Sequence, residues 1–430
     1  MTDAKLTLAG NLGHLFFGVS TSIVLARSLG AESFGLYALF LVFVNVSVSL
    51  TNLGLGRSTT YHVAGQTQFA TQIAKASLLV SLLRGLMAAL TGYTVFLLLP
   101  ALFKGLSAQL LLPAVFLIVL KIVFQSAQGV VMGLQDFLFY NNLIVAVSFF
   151  QAVLVAVLVG ILGLGIWWAV IAVLLSNLEA LIGALYGIHK RLSEDSPAGV
   201  SWNSWVVSLL KFGLKSHLGR VCTSLTNRLD RLLINALAGP LSLGIYQVAV
   251  SMAERLSLLS NTTTVLFPRV ASMDQHERQR QGLTHKVARS IFWLTLMGAI
   301  PVFALSDWLI FLFFGEQYES AGSVLKLLLP GFVLLSMSQA LAHDFSGRGK
   351  PGLNSLHAAG TLALNVAANL LLIPRYGVHG AAAAASLSFG FLAVIRVGAY
   401  SRIAKIKWYQ TWLLTREDLR LWRRLVSKRP

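Results

Sequence analysis

Long apolar segments follow one another along almost the whole chain, and short polar stretches separate them. Each segment reaches roughly 20 residues, the length that an α-helix needs to cross a hydrocarbon layer about 30 Å thick. The pattern therefore predicts an all-α membrane protein with about 12 transmembrane helices. The predicted spans are 6–29, 34–55, 73–99, 108–134, 142–164, 166–188, 205–237, 241–267, 287–314, 321–345, 353–373 and 378–400.

A longer polar stretch divides these spans into two groups of six. We expect an N-terminal six-helix lobe at 1–188, a cytoplasmic linker at 189–204, a C-terminal six-helix lobe at 205–400 and a basic amphipathic tail at 401–430. The first apolar segment follows no basic region and precedes no small-residue cleavage site. It is therefore predicted to remain as a helix rather than to be removed as a signal peptide.

The amino-acid composition supports a membrane protein and argues against a soluble domain, a disulfide-stabilised protein and a cysteine-bound metal site. Hydrophobic residues make up 56% of the 430 residues and charged residues 12%, whereas about a quarter of a soluble domain is charged. The single cysteine, Cys222, lies in an apolar segment, which excludes an intramolecular disulfide and leaves it without metal-ligand companions. We expect no metal site and no cofactor.

Basic residues exceed acidic ones by 34 to 16, a formal net charge of +18. In a soluble protein this excess would suggest nucleic acid, but in a polytopic chain it reports orientation, because Lys and Arg concentrate on the cytoplasmic side. With the N-terminus inside, the outer loops contain only Arg27, Lys104 and Arg375. We therefore expect a bacterial inner-membrane protein with both termini in the cytoplasm, no nucleic-acid partner, and a tail lying on the anionic inner leaflet. The short outer loops argue against an extracytoplasmic catalytic domain.

A short motif occurs twice, at an offset of 209 positions. Residues 29–37 (LGAESFGLY) align without a gap to residues 238–246 (AGPLSLGIY). Because six spans separate the copies, both halves would enter the membrane from the same side, as parallel repeats with a substrate site between them. The alternative is that Gly and Pro recur at any turn between helices. The shared Gly-aliphatic-Tyr favours duplication.

Charged residues inside the predicted spans are the first candidates for function, since a charge near the bilayer centre costs roughly 2.5 to 3.5 kcal/mol on insertion scales. If helix seven is continuous, most of its polar residues share about a quarter of its circumference. The candidates for a substrate cavity are Arg220, Arg228, Arg231, Arg84, His217, Asn227, Asn45 and Asn11. Lys121 and Arg396 are interpreted as residues whose stems are buried, and Glu179 as one that pairs with another helix.

Two interpretations of the polar stripes remain open. Ser, Thr, Asn and Gly stripes are often helix-packing surfaces, and packing is favoured for those residues alone. Arg228 and Arg231 could also extend towards an interface, with Asp230 neutralising one of them. A basic cavity, in contrast, suits a phosphate or pyrophosphate group, because arginine donates two parallel hydrogen bonds and keeps its charge when partly dehydrated.

Several motifs carry a resemblance to a known family. They are Phe212-Gly213-Leu214, the run 227–234 (NRLDRLLI), Ala238-Gly239-Pro240, Gly244-Ile245-Tyr246 and Leu266-Phe267-Pro268-Arg269 in the second half, and the runs 25–30, 35–38 and 52–56 in the first. In order and spacing the chain resembles the polysaccharide-unit flippases of the multidrug/oligosaccharidyl-lipid/polysaccharide exporter (MOP) superfamily. The resemblance covers nearly the whole chain.

This resemblance implies a V-shaped, MATE-like pair of six-helix lobes that alternate between inward and outward openings. It implies a cargo of polyprenyl-pyrophosphate-linked oligosaccharide, moved without covalent chemistry, and polysaccharide polymerase or assembly proteins as partners. It also implies coupling to a proton or sodium gradient, for which Glu254, Asp230 and His14 are the candidates. His14 has packing as its alternative role.

Three alternatives are weighed against this function. A drug exporter of the same superfamily would favour acidic sites for cationic cargo, which the excess of intramembrane arginine opposes. The peptidoglycan-precursor flippases have two further C-terminal helices, where this chain has a basic tail. A membrane-embedded polymerase or glycosyltransferase would need acids or bases on a sizeable outer loop, and the only obvious acidic pair is Glu316 and Glu319.

Overall fold

The computed structural model describes residues 2–51, 53–192, 202–214, 217–257 and 277–413. Regular structure in these ranges is helical, without a strand. Nine helical segments within them are long and apolar enough to cross a membrane. The predicted fold class, an all-α membrane protein with several spans, is confirmed.

The chain forms two compact units, Met1–Ile245 and Tyr246–Pro430. The helices that begin in the first unit are α1 (Thr2–Leu50), α2 (Leu55–Gly65), α3 (Ala70–Leu98), α4 (Leu111–Gly133), α5 (Phe137–Val155), α6 (Ile166–Arg191), α7 (Trp202–Leu214), α8 (His217–Thr226) and α9 (Leu229–Ser257), which continues into the second unit. The second unit adds α10 (Glu277–Ala304), α11 (Ser306–Phe314), α12 (Ser320–Gly347) and α13 (Pro351–Ala404). The division into lobes at 1–188 and 205–400 stays a prediction.

Glycines divide the longest helices at the predicted turns. Gly30 in α1 has φ 76° and ψ 167°, and Gly239 in α9 has φ 85° and ψ 172°. Gly377 in α13 has φ 55°. Because only glycine adopts a positive φ of this kind without strain, these residues interrupt the helix with a kink that a side chain would oppose. Gly30 and Gly239 are 209 positions apart, so the two copies of the repeated motif share one backbone conformation.

Helix seven is not continuous, contrary to the sequence prediction. The predicted span 205–237 contains parts of α7, α8 and α9, and α8 ends in a turn at Asn227 and Arg228. In this turn the Arg228 amide donates to the Leu225 carbonyl at 3.0 Å. The single stripe at 100° per residue therefore does not run the length of the segment, because the turn changes the direction of the residues that follow it.

Hydroxyl groups hold the short helix α2 against its neighbours. Thr59 Oγ1 lies 2.5 Å from Ser77 Oγ of α3, and Ser77 Oγ lies 2.5 Å from Ser126 Oγ of α4. Ser58 Oγ donates to the Leu209 carbonyl of α7 at 2.9 Å. All these side chains are buried, and pairing them removes the cost of leaving a hydroxyl unsatisfied.

Asp136 begins α5 and joins it to α6. Its Oδ1 accepts the Phe139 amide at 2.9 Å, and its Oδ2 accepts Arg191 Nε at 2.8 Å. The guanidinium of Arg191 also lies 4.1 Å from the centre of the Phe139 ring. The Phe139 amide, and after it Arg191, lower the pKa of Asp136 below its ordinary value of 3.8.

We predict that Asp136→Ala lowers the thermal stability of the detergent-solubilised protein at neutral pH, by about 1 kcal/mol for the lost helix cap. A carboxyl whose pKa is lowered by folding stabilises the protein above its unfolded pKa and loses that contribution as pH falls through its folded pKa. The difference between wild type and variant should therefore shrink below pH 3.8. Asp136→Asn is the control, since it keeps a capping acceptor but loses the charge. An unchanged difference between the melting temperatures across this pH range would contradict the prediction.

Candidate functional site

Two basic side chains meet beside amide and hydroxyl groups in the first unit. Lys121 Nζ of α4 donates to Asn45 Oδ1 of α1 at 3.1 Å. Arg228 Nη1 donates to Ser224 Oγ at 2.5 Å, and Ser224 Oγ donates to Ser49 Oγ at 2.7 Å. We call these five residues the basic cluster. It joins α1, α4, α8 and the turn after α8.

The charges of the cluster have one sign. Arg228 lies close enough to Lys121 for the two positive charges to interact. Within the described residues Lys121 has no carboxylate partner, and its hydrogen bond is to the neutral amide of Asn45. Lys121 lies inside the candidate span Ala108–Gly133 and Arg228 inside the candidate span Val221–Leu256. Two neighbouring cations in such spans are costly unless water or an anion accompanies them. The arrangement can bind an anionic group.

The structure brings only some of the predicted residues into this cluster. Asn45 and Arg228 belong to it, and Asn227 is exposed in the adjacent turn. Lys121 was interpreted from the sequence as a residue with a buried stem, and that interpretation missed its place here. A signal was present: Lys121, Gln125 and Gln128 fall on one face of a helix. The side chains of Arg220, His217 and Asn11 lie outside the described part of the structure, so their roles stay predictions.

Other candidates lie elsewhere. Arg84 is buried in α3, with 5% of its surface exposed, and Asp230 is buried at the start of α9. Asp230 Oδ1 accepts the backbone amide of the next residue, Arg231, at 2.8 Å. Glu254, in the part of α9 that belongs to the second unit, has an exposed side chain. None of these residues is among those whose hydrogen bonds form the basic cluster, and their proposed roles remain untested.

Two polar residues of the stripes join helices. His14 Nδ1 of α1 lies within hydrogen-bond distance of Ser148 Oγ of α5. Asn235, wholly buried in α9, donates through Nδ2 to the carbonyls of Leu102 at 3.1 Å and Lys104 at 3.0 Å. These are interhelical contacts of the packing type.

The two copies of the repeated motif contact each other through glycine. A Cβ placed on Gly35 would collide with the Pro240 carbonyl oxygen, and one placed on Gly244 would collide with the Ala31 carbonyl oxygen. Gly35 and Gly244 are themselves 209 positions apart. Equivalent positions of the repeat therefore meet backbone to backbone, at a separation that no other residue permits.

The second unit contains a cavity of a different kind. It measures about 430 Å³ and lies between α10 and α12, with a lining that carries no charged or polar side chain. Phe292, Phe303 and Pro330 are among the lining residues. This surface suits hydrocarbon and cannot compensate a charged group.

The sequence pattern of a known family, described as polysaccharide biosynthesis protein, matches residues 24–323. The chain belongs to the polysaccharide biosynthesis protein family. The matched residues include every member of the basic cluster and both copies of the glycine motif.

One curated relative of this family member is named "Probable low-salt glycan biosynthesis flippase Agl15", from Haloferax volcanii. The two sequences are 27% identical over 169 residues, which is 38% of this chain and 35% of the relative. The match thus spans about a third of that protein.

Solved structures show the fold of the family member. Its structure matches the lipid II flippase MurJ in an inward closed conformation with a TM-score of 0.74, at 12% identity, over 99% of this chain and 93% of MurJ. It also matches an inward-facing multidrug resistance MATE family transporter of the MOP superfamily with a TM-score of 0.72, at 16% identity, over 91% of this chain and 94% of the transporter. The polysaccharide biosynthesis protein is therefore a multi-pass membrane protein with a MATE- and MurJ-like transporter fold.

We predict that Gly35→Ala and Gly244→Ala each destabilise the protein by about 1–3 kcal/mol, because the added methyl group must push two backbones apart. The stability lost by the double variant should be smaller than the sum of the losses of the two single variants, since both methyl groups enter one contact. The measurement is the thermal unfolding midpoint in detergent.

Gly183→Ala is the matched control for this prediction. A Cβ on Gly183 would meet the Leu143 side chain at 3.7 Å, an ordinary contact distance. Equal decreases of the unfolding midpoint in the control and in the two test variants would contradict the prediction, because the close approach at Gly35 and Gly244 would then have no effect of its own on stability.

Proposed function

We propose that this chain is a flippase that moves a polyprenyl-pyrophosphate-linked oligosaccharide, a polysaccharide repeat unit, from the cytoplasmic to the outer leaflet of the bacterial inner membrane. The observation that carries the proposal is that hydrogen bonds to Asn45, Ser49 and Ser224 gather two cationic side chains, Lys121 and Arg228, around α1. Membership of the polysaccharide biosynthesis protein family supports it.

The basic cluster suits a diphosphate. Each phosphate oxygen accepts hydrogen bonds, and the guanidinium of Arg228 and the ammonium of Lys121 donate charge-assisted ones. Binding an anion would also remove the repulsion between the two cations. The amide of Asn45 and the hydroxyl of Ser49 keep these side chains in place beside the anion.

Transport by alternating access needs no covalent step and no cofactor. The glycine contact offers a place where the repeated halves close on each other, because Gly35 and Gly244 allow the backbones to meet. In this proposal the contact forms in one state and separates in the other. Glu254, Asp230 and His14 remain the candidates for binding the coupling ion, and Asp230 stands two positions after Arg228 in the sequence.

The orientation is part of the same proposal. Most Lys and Arg residues fall on the side of the linker and the tail, which the positive-inside rule assigns to the cytoplasm. Both termini would then be cytoplasmic, with the tail on anionic lipids of the inner leaflet and with polysaccharide assembly proteins as partners.

The test is a reconstituted assay with undecaprenyl-pyrophosphate-linked oligosaccharide in proteoliposomes, scored by the accessibility of the sugar to an added enzyme. Transfer should require the protein and respond to an imposed proton or sodium gradient. No transfer by the wild type, together with movement of a cationic dye, would favour a drug exporter of the superfamily and contradict the proposal.

In this assay Lys121→Met should slow transfer by about 10- to 100-fold, the equivalent of one lost charge-assisted hydrogen bond to the cargo. Arg228→Met should act similarly, and Lys121→Arg should restore part of the rate. Lys75→Met is the matched control, because Lys75 is an exposed lysine of α3. Wild-type rates in the Lys121→Met and Arg228→Met variants would exclude the basic cluster as the cargo site.

A further inference from the structure

A polar cavity of about 220 Å³ lies between α2, α4 and α5 in the first unit. Its polar lining consists of Arg57 and Thr60 from α2, Gln125 and Gln128 from α4, and Tyr140 from α5. The cavity is separate from the hydrogen bonds of the basic cluster. It differs from the apolar cavity of the second unit in carrying one guanidinium, one aliphatic hydroxyl, two amides and one phenol.

Four of these five polar side chains have no polar partner in the described part of the protein. Among the described residues, the side chains of Arg57, Gln125, Gln128 and Tyr140 have no hydrogen-bonding or ion-pair partner. Gln125 and Gln128 are half-buried and lie inside the candidate span Ala108–Gly133. Amides without partners are costly in a membrane segment. Their groups therefore require water or a ligand in the cavity.

Close packing of α2 against α4 forms one wall of the cavity. A Cβ on Gly129 of α4 would lie 2.6 Å from the Gly56 carbonyl oxygen of α2. Thr60 Oγ1 donates to the Gly129 and Gly56 carbonyls, both at 3.0 Å. The two glycines and this hydroxyl fix α2 against α4, and so fix the positions from which Arg57, Gln125 and Gln128 extend.

The cavity continues the polar face of α4 from the basic cluster. Lys121, Gln125 and Gln128 are spaced at i, i+4 and i+7, so they lie within about 60° of one another around the helix. From Lys121 to Gln128 the helix rises about 10 Å. An elongated polar molecule held at Lys121 can extend along α4 into the cavity.

The chemistry of the lining favours a sugar over a second phosphate. A glutamine amide both donates and accepts, as neighbouring hydroxyl groups require, and the face of a tyrosine ring accommodates the apolar C–H surface of a sugar ring. A phosphate would favour several cations, and here Arg57 is accompanied by neutral groups. We propose that this cavity binds the first sugar residues of the cargo while the basic cluster binds its diphosphate, an inference that rests on the proposed function.

The experiment compares two probes on the full-length protein in detergent: undecaprenyl pyrophosphate, and undecaprenyl pyrophosphate carrying N-acetylglucosamine. Wild type should bind the sugar-bearing probe more tightly. The double variant Gln125→Ala/Gln128→Ala should lose about tenfold or more in affinity for that probe, the equivalent of one or two hydrogen bonds, and keep its affinity for the bare pyrophosphate. Lys121→Met should weaken both probes alike.

Gln109→Ala is the matched control, because Gln109 is exposed and precedes α4 outside the cavity. Since Gln125 and Gln128 have no hydrogen-bonding partner in the part of the chain that the structure describes, their loss should leave the unfolding midpoint unchanged, which tests folding directly. Tyr140→Phe provides a second, milder variant that removes one hydroxyl.

The outcomes separate this inference from the proposed function. If wild type binds both probes and the glutamine variant binds them as wild type does, the inference fails and the flippase proposal stands. An equal loss for both probes in that variant would also overturn it, because the cavity would then bind the diphosphate. If wild type binds neither probe, the proposed function fails and the inference fails with it.

Discussion

Hydrocarbon cannot hydrogen-bond, and this constraint shapes every polar position in the spans. The buried hydroxyls of Thr59, Ser77 and Ser126 pair with one another across three helices, and Asn235 donates both of its bonds to carbonyls of a neighbouring segment. Polar groups that the protein satisfies in this way hold helices together. Polar groups that it leaves to water or to a ligand are the ones that indicate function.

In the described part of the first unit, this criterion directs attention to α4, the helix on which the proposed cargo site is built. Among the described residues, the hydrogen bond of Lys121 is to a neutral amide, Arg228 repels it, and Gln125 and Gln128 have no partner. A helix that served packing alone would not present three such residues on one face. In the proposed function, the cargo would compensate the physical cost of placing them there.

The fold followed from the sequence because its signals are local. Apolar length predicts the spans, and Gly30, Gly239 and Gly377 mark helix kinks whose backbone angles glycine alone adopts without strain. The turn at Asn227 and Arg228 contains no Gly or Pro, the residues that usually mark a helix break in a sequence. The sequence therefore predicts a continuous helix there. Lys121 was missed for another reason: its partner Asn45 is 76 positions away, and only tertiary packing pairs them. A lone lysine in an apolar run therefore resembled one with a buried stem.

The contact between Gly35 and Gly244 also restricts how this chain can evolve. The repeated motif is predicted to come from a duplication, and duplicated segments ordinarily diverge because each position is constrained by its own neighbours. Gly35 and Gly244 occupy equivalent positions and are in contact, so a side chain added at either one collides with the backbone of the other copy. A side chain added to one copy of the motif at this point therefore disturbs the packing of the other copy as well.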